Sequence, residues 1–305
     1  MYKSNVNLNL YKTFYDVAKC GSISKAAQST YTSQPAISKA IKKLEDELGV
    51  QLFYRNLSGV ELTDKGKELL YFVEKSFNNL IVAERNMLET ENLERGKLSI
   101  GMPSNIGSFF LFDKIMDFHK KFPNIEITII TGSTSSLVNL LDTHKIDFAI
   151  DTSPIDEHLD EGMKVAKLKT VNYAFIVRKD TKLLDISSIK KLNDLREIPL
   201  ILPIPGTANR NDLNEVLTKS NVEIQNVINI HTSEMIIAAV KKDLGVGYVI
   251  HNLVESEIEN GEIEELELKE KLPTVDINIL YDPHFLTTAP RKFIEEYIDY
   301  NLELY

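Results

Sequence analysis

Gln34, Ser38 and Lys42 stand four residues apart with Lys39 beside them, so on a helix they would share one polar face. The chemistry open to such a face is recognition of base edges and phosphates. A glutamine amide matches adenine N6 and N7 with two hydrogen bonds, a serine hydroxyl donates or accepts, and Lys39, Lys42 and Lys43 can meet guanine or neutralise phosphate. For any one of these residues the alternative is a merely solvated face. Hydroxyls and amides form a second group at Ser104, Asn105, Ser133, Thr152, Thr207, Thr232 and Ser233. They offer hydrogen bonds to a small polar ligand, although capping a helix is the commoner role of each taken alone. Catalytic patterns are missing. The six histidines, His119, His144, His158, His231, His251 and His284, are scattered, and there is no His-Glu-x-x-His, Gly-x-Ser-x-Gly, Walker loop or Gly-x-Gly-x-x-Gly. Neither an enzyme nor a metal or other cofactor is expected.

The first face needs a helix with an open start. Ser33 can cap it, and Pro35 sits in its first turn, where a missing N–H costs nothing. Ile37, Ile41, Leu44 and Leu48 then form the opposite, inward stripe. Before it, a short helix over residues 25–31 with Ser24 as N-cap carries Ala26 and Ala27, small enough for a second helix to cross closely. An earlier helix over residues 7–20 turns Leu10, Phe14 and Val17 inward and stops at Gly21. After Gly49, residues 51–55 and 60–62 read as two strands joined by Asn56-Leu57-Ser58-Gly59, a wing whose Arg55 can reach phosphate or the minor groove. A helix-turn-helix of this layout lays its second helix in the major groove with the N-terminal residues at base edges. The candidate DNA contacts are therefore Ser33, Gln34, Pro35, Ser38, Lys39, Lys42, Lys43 and Arg55.

The run Ser22-Ile23-Ser24-Lys25-Ala26-Ala27, Ser33-Gln34-Pro35-Ala36-Ile37-Ser38, Leu44-Glu45, Leu48-Gly49, Leu52-Phe53, Arg55 and Leu62-Thr63 resembles the LysR-type transcriptional regulators. It departs from them at Thr30, where leucine is usual, at Thr32, where an apolar residue is usual, and at Ser58, where many have a basic wing tip.

Charge is divided along the 305 residues. Through Lys67 there are ten basic and six acidic residues, a balance of plus four, whereas the whole chain carries minus ten and the remainder therefore minus fourteen. An acidic chain with one basic end presents only that end to nucleic acid. No stretch reaches the roughly 18 apolar residues of a membrane span, and Met1-Tyr2-Lys3 leads into a polar segment, unlike a signal peptide; a cytoplasmic protein without membrane contact is expected. The single cysteine, Cys20, excludes an intramolecular disulfide and with it a two-cysteine redox switch.

From Thr63, a good N-cap, to about residue 93 there is no proline, and Val73, Phe77, Leu80, Glu84 and Met87 alternate by four and three, widened by Leu70, Ile81 and Leu88. Such a stripe packs either on its own domain or on its twin. The resemblance implies the twin. Beyond Gly96, strands at 97–101, 125–130 and 148–150 alternate with helices at 109–122 and 137–144, and the pattern recurs with strands at 173–177, 199–202 and 247–250 and helices at 210–219 and 233–243. This is a βαβαβ unit with a parallel sheet, given twice, and so two lobes. Residues 275–281 and a helix at 290–302 look like a return to the first lobe. Gly245-Val246-Gly247 lies between helix and strand and reads as a tight C-cap.

The expected fold is α/β with an N-terminal winged helix-turn-helix, a long linker helix, and a two-lobed effector domain resembling type 2 periplasmic solute-binding proteins. The expected divisions are residues 1–66, 63–93, 94–166 with 272–305, and 167–271. Ligands in such units sit at the C-terminal ends of strands beside helix N-termini. The resemblance implies that Ser104, Asn105, Ser133, Thr152 and Thr232 contact the effector, and Thr207 and Ser233 join them by position. Arg210 and His231, with Asp151 and Glu234 nearby, suit a small ligand with a carboxylate, with or without an amino group. The partners expected are double-stranded DNA, a small-molecule effector, a homodimer or homotetramer, and RNA polymerase. The alternative is a small-molecule binding module that acts through protein partners without specific DNA binding.

Overall fold

The computed structural model describes residues 6–56, 59–88, 93, 95–152, 155, 159 and 162–302. It divides into two units, residues 1–87 with Asp142–Lys145, and residues 88–141 with 146–305.

In the first unit, helix α1 (Leu8–Cys20) starts at Asn7, whose side chain accepts the Asn9 N–H, and stops at a left-handed Gly21. Helix α2 (Ile23–Ser29) is capped by Ser22, not Ser24: Ser22 is extended and its hydroxyl accepts the Lys25 N–H at 3.5 Å, so the helix begins before the expected residue. Helix α3 (Gln34–Leu48) begins where expected, with Ser33 accepting the Ala36 N–H at 3.4 Å, and ends at a left-handed Gly49. Leu10, Phe14 and Val17 of α1, Ala26 and Ala27 of α2, and Ile37, Ile41 and Leu44 of α3 form one core. The unusual Thr30 fits because its hydroxyl donates to the Ala26 carbonyl at 2.7 Å.

Strands β1 (Phe53–Asn56) and β2 (Gly59–Leu62) pair antiparallel, with Phe53 opposite Leu62. The wing-tip residues Leu57 and Ser58 lie outside the described residues. Thr63 then caps helix α4 (Asp64–Leu88), accepting the Gly66 N–H at 2.9 Å while donating to the Gln51 carbonyl at 2.8 Å. The apolar stripe of α4 is not one seam. Val73 is buried in the core of this unit and Phe77 packs edge-on to Tyr15 at 5.6 Å, whereas Leu80, Ile81, Met87 and Leu88 are exposed.

The second unit opens with β3 (Gly96–Met102), a single turn α5 (Ser104–Ile106), a π-turn at Gly107–Leu111 and helix α6 (Phe112–Lys121). It continues through β4 (Ile125–Thr131), α7 (Thr134–Asp142), β5 (Phe148–Thr152) and the long β6 (Lys164–Arg178). Then follow β7 (Leu200–Pro203), α8 (Ala208–Lys219), β8 (Val227–Ile230), α9 (Ser233–Lys241) and β9 (Val246–Ile250). The chain ends through α10 (Glu255–Glu259), β10 (Ile263–Glu265), β11 (Thr274–Tyr281), α11 (Thr288–Phe293) and a second π-turn at Ile294–Ile298.

Among the described residues the strands run in the order β4-β3-β5-β11-β6-β9-β7-β8, with β10 beside β6. Strands β3, β4 and β5 are parallel, as are β7, β8 and β9, which gives two βαβαβ lobes; the second is corrected in its strands, because Val227–Ile230 supplies the third parallel strand and the expected strand at 173–177 lies in β6, antiparallel to β9. Strand β6 passes from one to the other: Lys164 to Asn172 pairs with β11, and Tyr173 to Ile176 pairs with β9. Strands β8 and β10 are short and half-exposed, too brief to show a period in sequence. The expected C-cap at Gly245 is corrected. The left-handed residue after α9 is Asp243, while Gly245 lies so close to the Pro199 carbonyl that a Cβ would stand 2.3 Å from its oxygen, and Gly247 is inside β9 beneath Val240 and Ile236.

Candidate functional site

In the first unit Gln34, Pro35, Lys39, Lys42 and Lys43 are exposed and Ser38 is half-buried, on the face of α3 opposite the buried Ile37, Ile41 and Leu44. Ser33 holds the start of that helix through its hydroxyl while staying at the surface. Lys43 makes a 3.6 Å ion pair with Glu47 one turn on. Arg55 is exposed on β1, opposite Val60. Sequence reading noted Glu45 only within the run that resembles the LysR-type regulators and gave it no role; its carboxylate fastens the start of the wing to α3. This face of α3 is thus a set of polar side chains on a helix capped at both ends, and side chains of these types can meet base edges and phosphates.

In the second unit the register of β3 with β4 and β5 brings Met102, Thr131 and the end of β5 to one edge, so that Ser104, Asn105, Ser133 and Thr152 lie along it. Ser104 and Ser133 are exposed, Asn105 and Thr152 half-buried. Ser133 also accepts the Ser136 N–H at 3.4 Å, and Asn105 the Ile106 N–H at 3.0 Å. Pro203 stands beside Ile230 at the corresponding edge of the other lobe, where Thr207, Thr232 and Ser233 follow. Thr207 donates to the Ile204 carbonyl at 2.9 Å and Thr232 caps α9 by accepting the Met235 N–H at 3.3 Å, so both have local work as well. The two lobes meet where Gly107–Leu111 packs against His251–Leu253 after β9. His251 is held there, its Nδ1 2.6 Å from Glu265.

Arg210 does not supply a free cation. Its guanidinium donates to the Pro203 carbonyl at 3.0 Å, to Asn229 at 2.9 Å and to Asn214 at 3.0 Å, and burial lowers its pKa. Among the described residues no group of three or more His, Cys, Asp or Glu is arranged to hold a metal ion, and no helix is long and apolar enough to cross a membrane.

Residues 91–300 match the LysR substrate-binding domain and residues 8–67 the bacterial regulatory helix-turn-helix of the lysR family. The chain belongs to the LysR family of transcriptional regulators. Like other LysR-type regulators it is a DNA-binding protein with a substrate-binding domain, and its relatives are named as regulators of transcription and not as enzymes. It is 27% identical to the regulator YofA of Bacillus velezensis over 91% of this chain and 93% of that one. It is 32% identical to the uncharacterised regulator YvbU of Bacillus subtilis over 63% of this chain and 64% of the relative. Full-length OxyR of Pseudomonas aeruginosa shares its fold, with a TM-score of 0.68 at 22% identity over 97% of this chain and 94% of that one. CbnR in complex with its target DNA has the same LysR-type fold, with a TM-score of 0.54 at 18% identity over 96% of this chain and 98% of that one.

Proposed function

We propose that this LysR-type regulator reads an interrupted palindrome as a homodimer, assembling further to a homotetramer, and that a small polar, carboxylate-bearing effector in its C-terminal lobes controls it. Ser33, Gln34, Pro35, Ser38, Lys39, Lys42, Lys43 and Arg55 meet the DNA, Gln34 and Ser38 at base edges and the cations mainly at phosphates. The observation that carries this reading is the α3 face, where Gln34, Lys39 and Lys42 stand exposed over a fully packed stripe. Two-fold symmetry of the DNA site follows from pairing two copies through the exposed half of α4.

Ser104, Asn105, Ser133, Thr152, Thr207, Thr232 and Ser233 hold the effector between lobe I (residues 94–166 and 272–305) and lobe II (residues 167–271). Helix starts at α7, α8 and α9 suit a carboxylate, since the N–H groups of a first turn have no intrahelical partner and carry partial positive charge; side chains already meet one in each, at Ser136, Arg210 and Met235, and the ligand takes the others. The crossing of β6 and the return through β11 make the pair of lobes a hinge, and an effector that binds one lobe angle better than another moves the spacing of the DNA-reading heads. A coupling of about 1–3 kcal/mol is the scale of such control. Changed spacing acts on transcription through RNA polymerase, in the cytoplasm. The test is operator binding with cell metabolites added. Ser104→Ala and Thr152→Ala weaken the response to an active fraction while leaving effector-free binding intact; unchanged midpoints in both variants would remove the cleft from the account.

A further inference from the structure

Asp151 is only 2% exposed, yet its Oδ2 has no hydrogen-bond partner. The other oxygen accepts the Thr152 N–H at 2.7 Å, and the Thr134 side chain adds a second bond to the carboxyl group. Buried carboxylates ordinarily have their lone pairs met, because an ion removed from water without donors is strongly disfavoured. Here burial pushes the Asp151 carboxyl above the ordinary carboxylate range, and the Thr134 and Thr152 bonds only partly offset it. The core does not require an acid at this place, since Ala149, two residues earlier on the same face of β5, is simply apolar packing.

Its position gives the orphaned oxygen a use. Asp151 is the penultimate residue of β5, at the edge where β3 and β4 also end, and it touches the first residue of α7 through Thr134. Among the described residues the strand ends offer it no free cation: Arg210 is committed to Pro203, Asn214 and Asn229, and His231 is exposed on the other lobe.

We propose that Asp151 is the receptor for a protonated amino group of the effector, and that the effector class is an amino acid. The ligand carboxylate goes to the N–H and hydroxyl groups at the helix starts; Oδ2 is closed to solvent in the ligand-free protein, so the ammonium reaches it as the start of α7 moves aside and there supplies the donor that Oδ2 lacks. This rests on the two-lobe reading above and narrows it. An ammonium at hydrogen-bond distance favours the ionised carboxylate and is itself worth more in a site of low dielectric than in water. A ligand with the carboxylate alone leaves Oδ2 as it was.

The experiment is a melting-temperature screen of the whole chain with each standard amino acid, set beside the carboxylic acid of the same skeleton without the amino group. Ligands that bind only the folded state raise the melting temperature. The expected result is that at least one amino acid stabilises the protein, that its des-amino partner binds roughly tenfold or more weakly, and that Asp151→Asn abolishes the difference between them. Since the neutral amide removes a buried charge, ligand-free Asp151→Asn melts at or above the wild-type temperature at pH 7. The wild-type comparison stands without the variant should that fail to fold. A des-amino acid that binds wild type and Asp151→Asn equally overturns the ammonium site while leaving the cleft in place. No response to any amino acid also overturns it, and the cleft then stands or falls by the operator assay.

Discussion

The Glu45 carboxylate of α3 accepts two successive backbone N–H groups of the wing, Leu52 at 2.8 Å and Phe53 at 3.2 Å, through one oxygen. Leu52 and Phe53 are 1% and 3% exposed, so those N–H groups have no water to turn to. One side chain thus ties the start of the wing to α3. Glu45→Ala should destabilise the protein by about 1–3 kcal/mol in chemical denaturation, and Glu45→Gln, which keeps an oxygen in place, by less. A wild-type midpoint for Glu45→Ala would show that the wing is held by packing alone.

Glu74 predicts a pH dependence. It is buried, and burial raises its pKa, but Lys19 at 2.5 Å and Lys145 at 3.0 Å outweigh that and leave the carboxyl below its ordinary value. A carboxyl with a lowered folded pKa adds stability above its unfolded value, about 4.3, and loses it as pH falls through the folded one. Melting temperatures from pH 7 to pH 3 should therefore fall less steeply for Glu74→Gln, which begins lower, than for wild type. Parallel curves would contradict the assignment.

The divided stripe of α4 separates stability from assembly. Phe77 packs half-buried against the core of its own unit, so Phe77→Asp should destabilise that unit; Leu80 and Ile81, 58% and 49% exposed, lie outside that core. Replacing Leu80 and Ile81 together by Asp should leave the melting temperature of the monomer unchanged and raise the dimer dissociation constant at least tenfold by sedimentation, because charge enters an apolar contact. An unchanged constant would place the dimer contact elsewhere.

The N-terminal unit was legible because its signals are local: a cap at Ser33, stops at Gly21 and Gly49, and a four-three spacing from Ile37 to Leu44 each act within a turn or two. Ser24 lost to Ser22 because either serine could cap and only the chain direction out of Gly21 decides. In the C-terminal unit the helices and most strands were legible from periodicity, but only residues 173–177 of the fifteen-residue β6 were, and β8 and β10 are held by pairing with β7 and β6, which is not a property of their own residues. The division of the α4 stripe into packed and exposed residues was also hidden, since one apolar stripe looks the same whether it meets its own core or a second copy. Asp151 read as a loop charge at a strand end; that one of its oxygens is buried without a donor is visible only once β5 and α7 are assembled.

The most direct test of the account is selection of bound sequences from a random DNA pool by the whole chain. Wild type should enrich an interrupted palindrome, Gln34→Ala should lose about 1–3 kcal/mol and relax one symmetric pair of base positions, and Lys42→Ala should weaken all sequences alike and flatten the dependence on salt. Enrichment of the same sequence by Gln34→Ala with undiminished affinity, or no enrichment by wild type, would contradict the assignment of α3 as the reading helix.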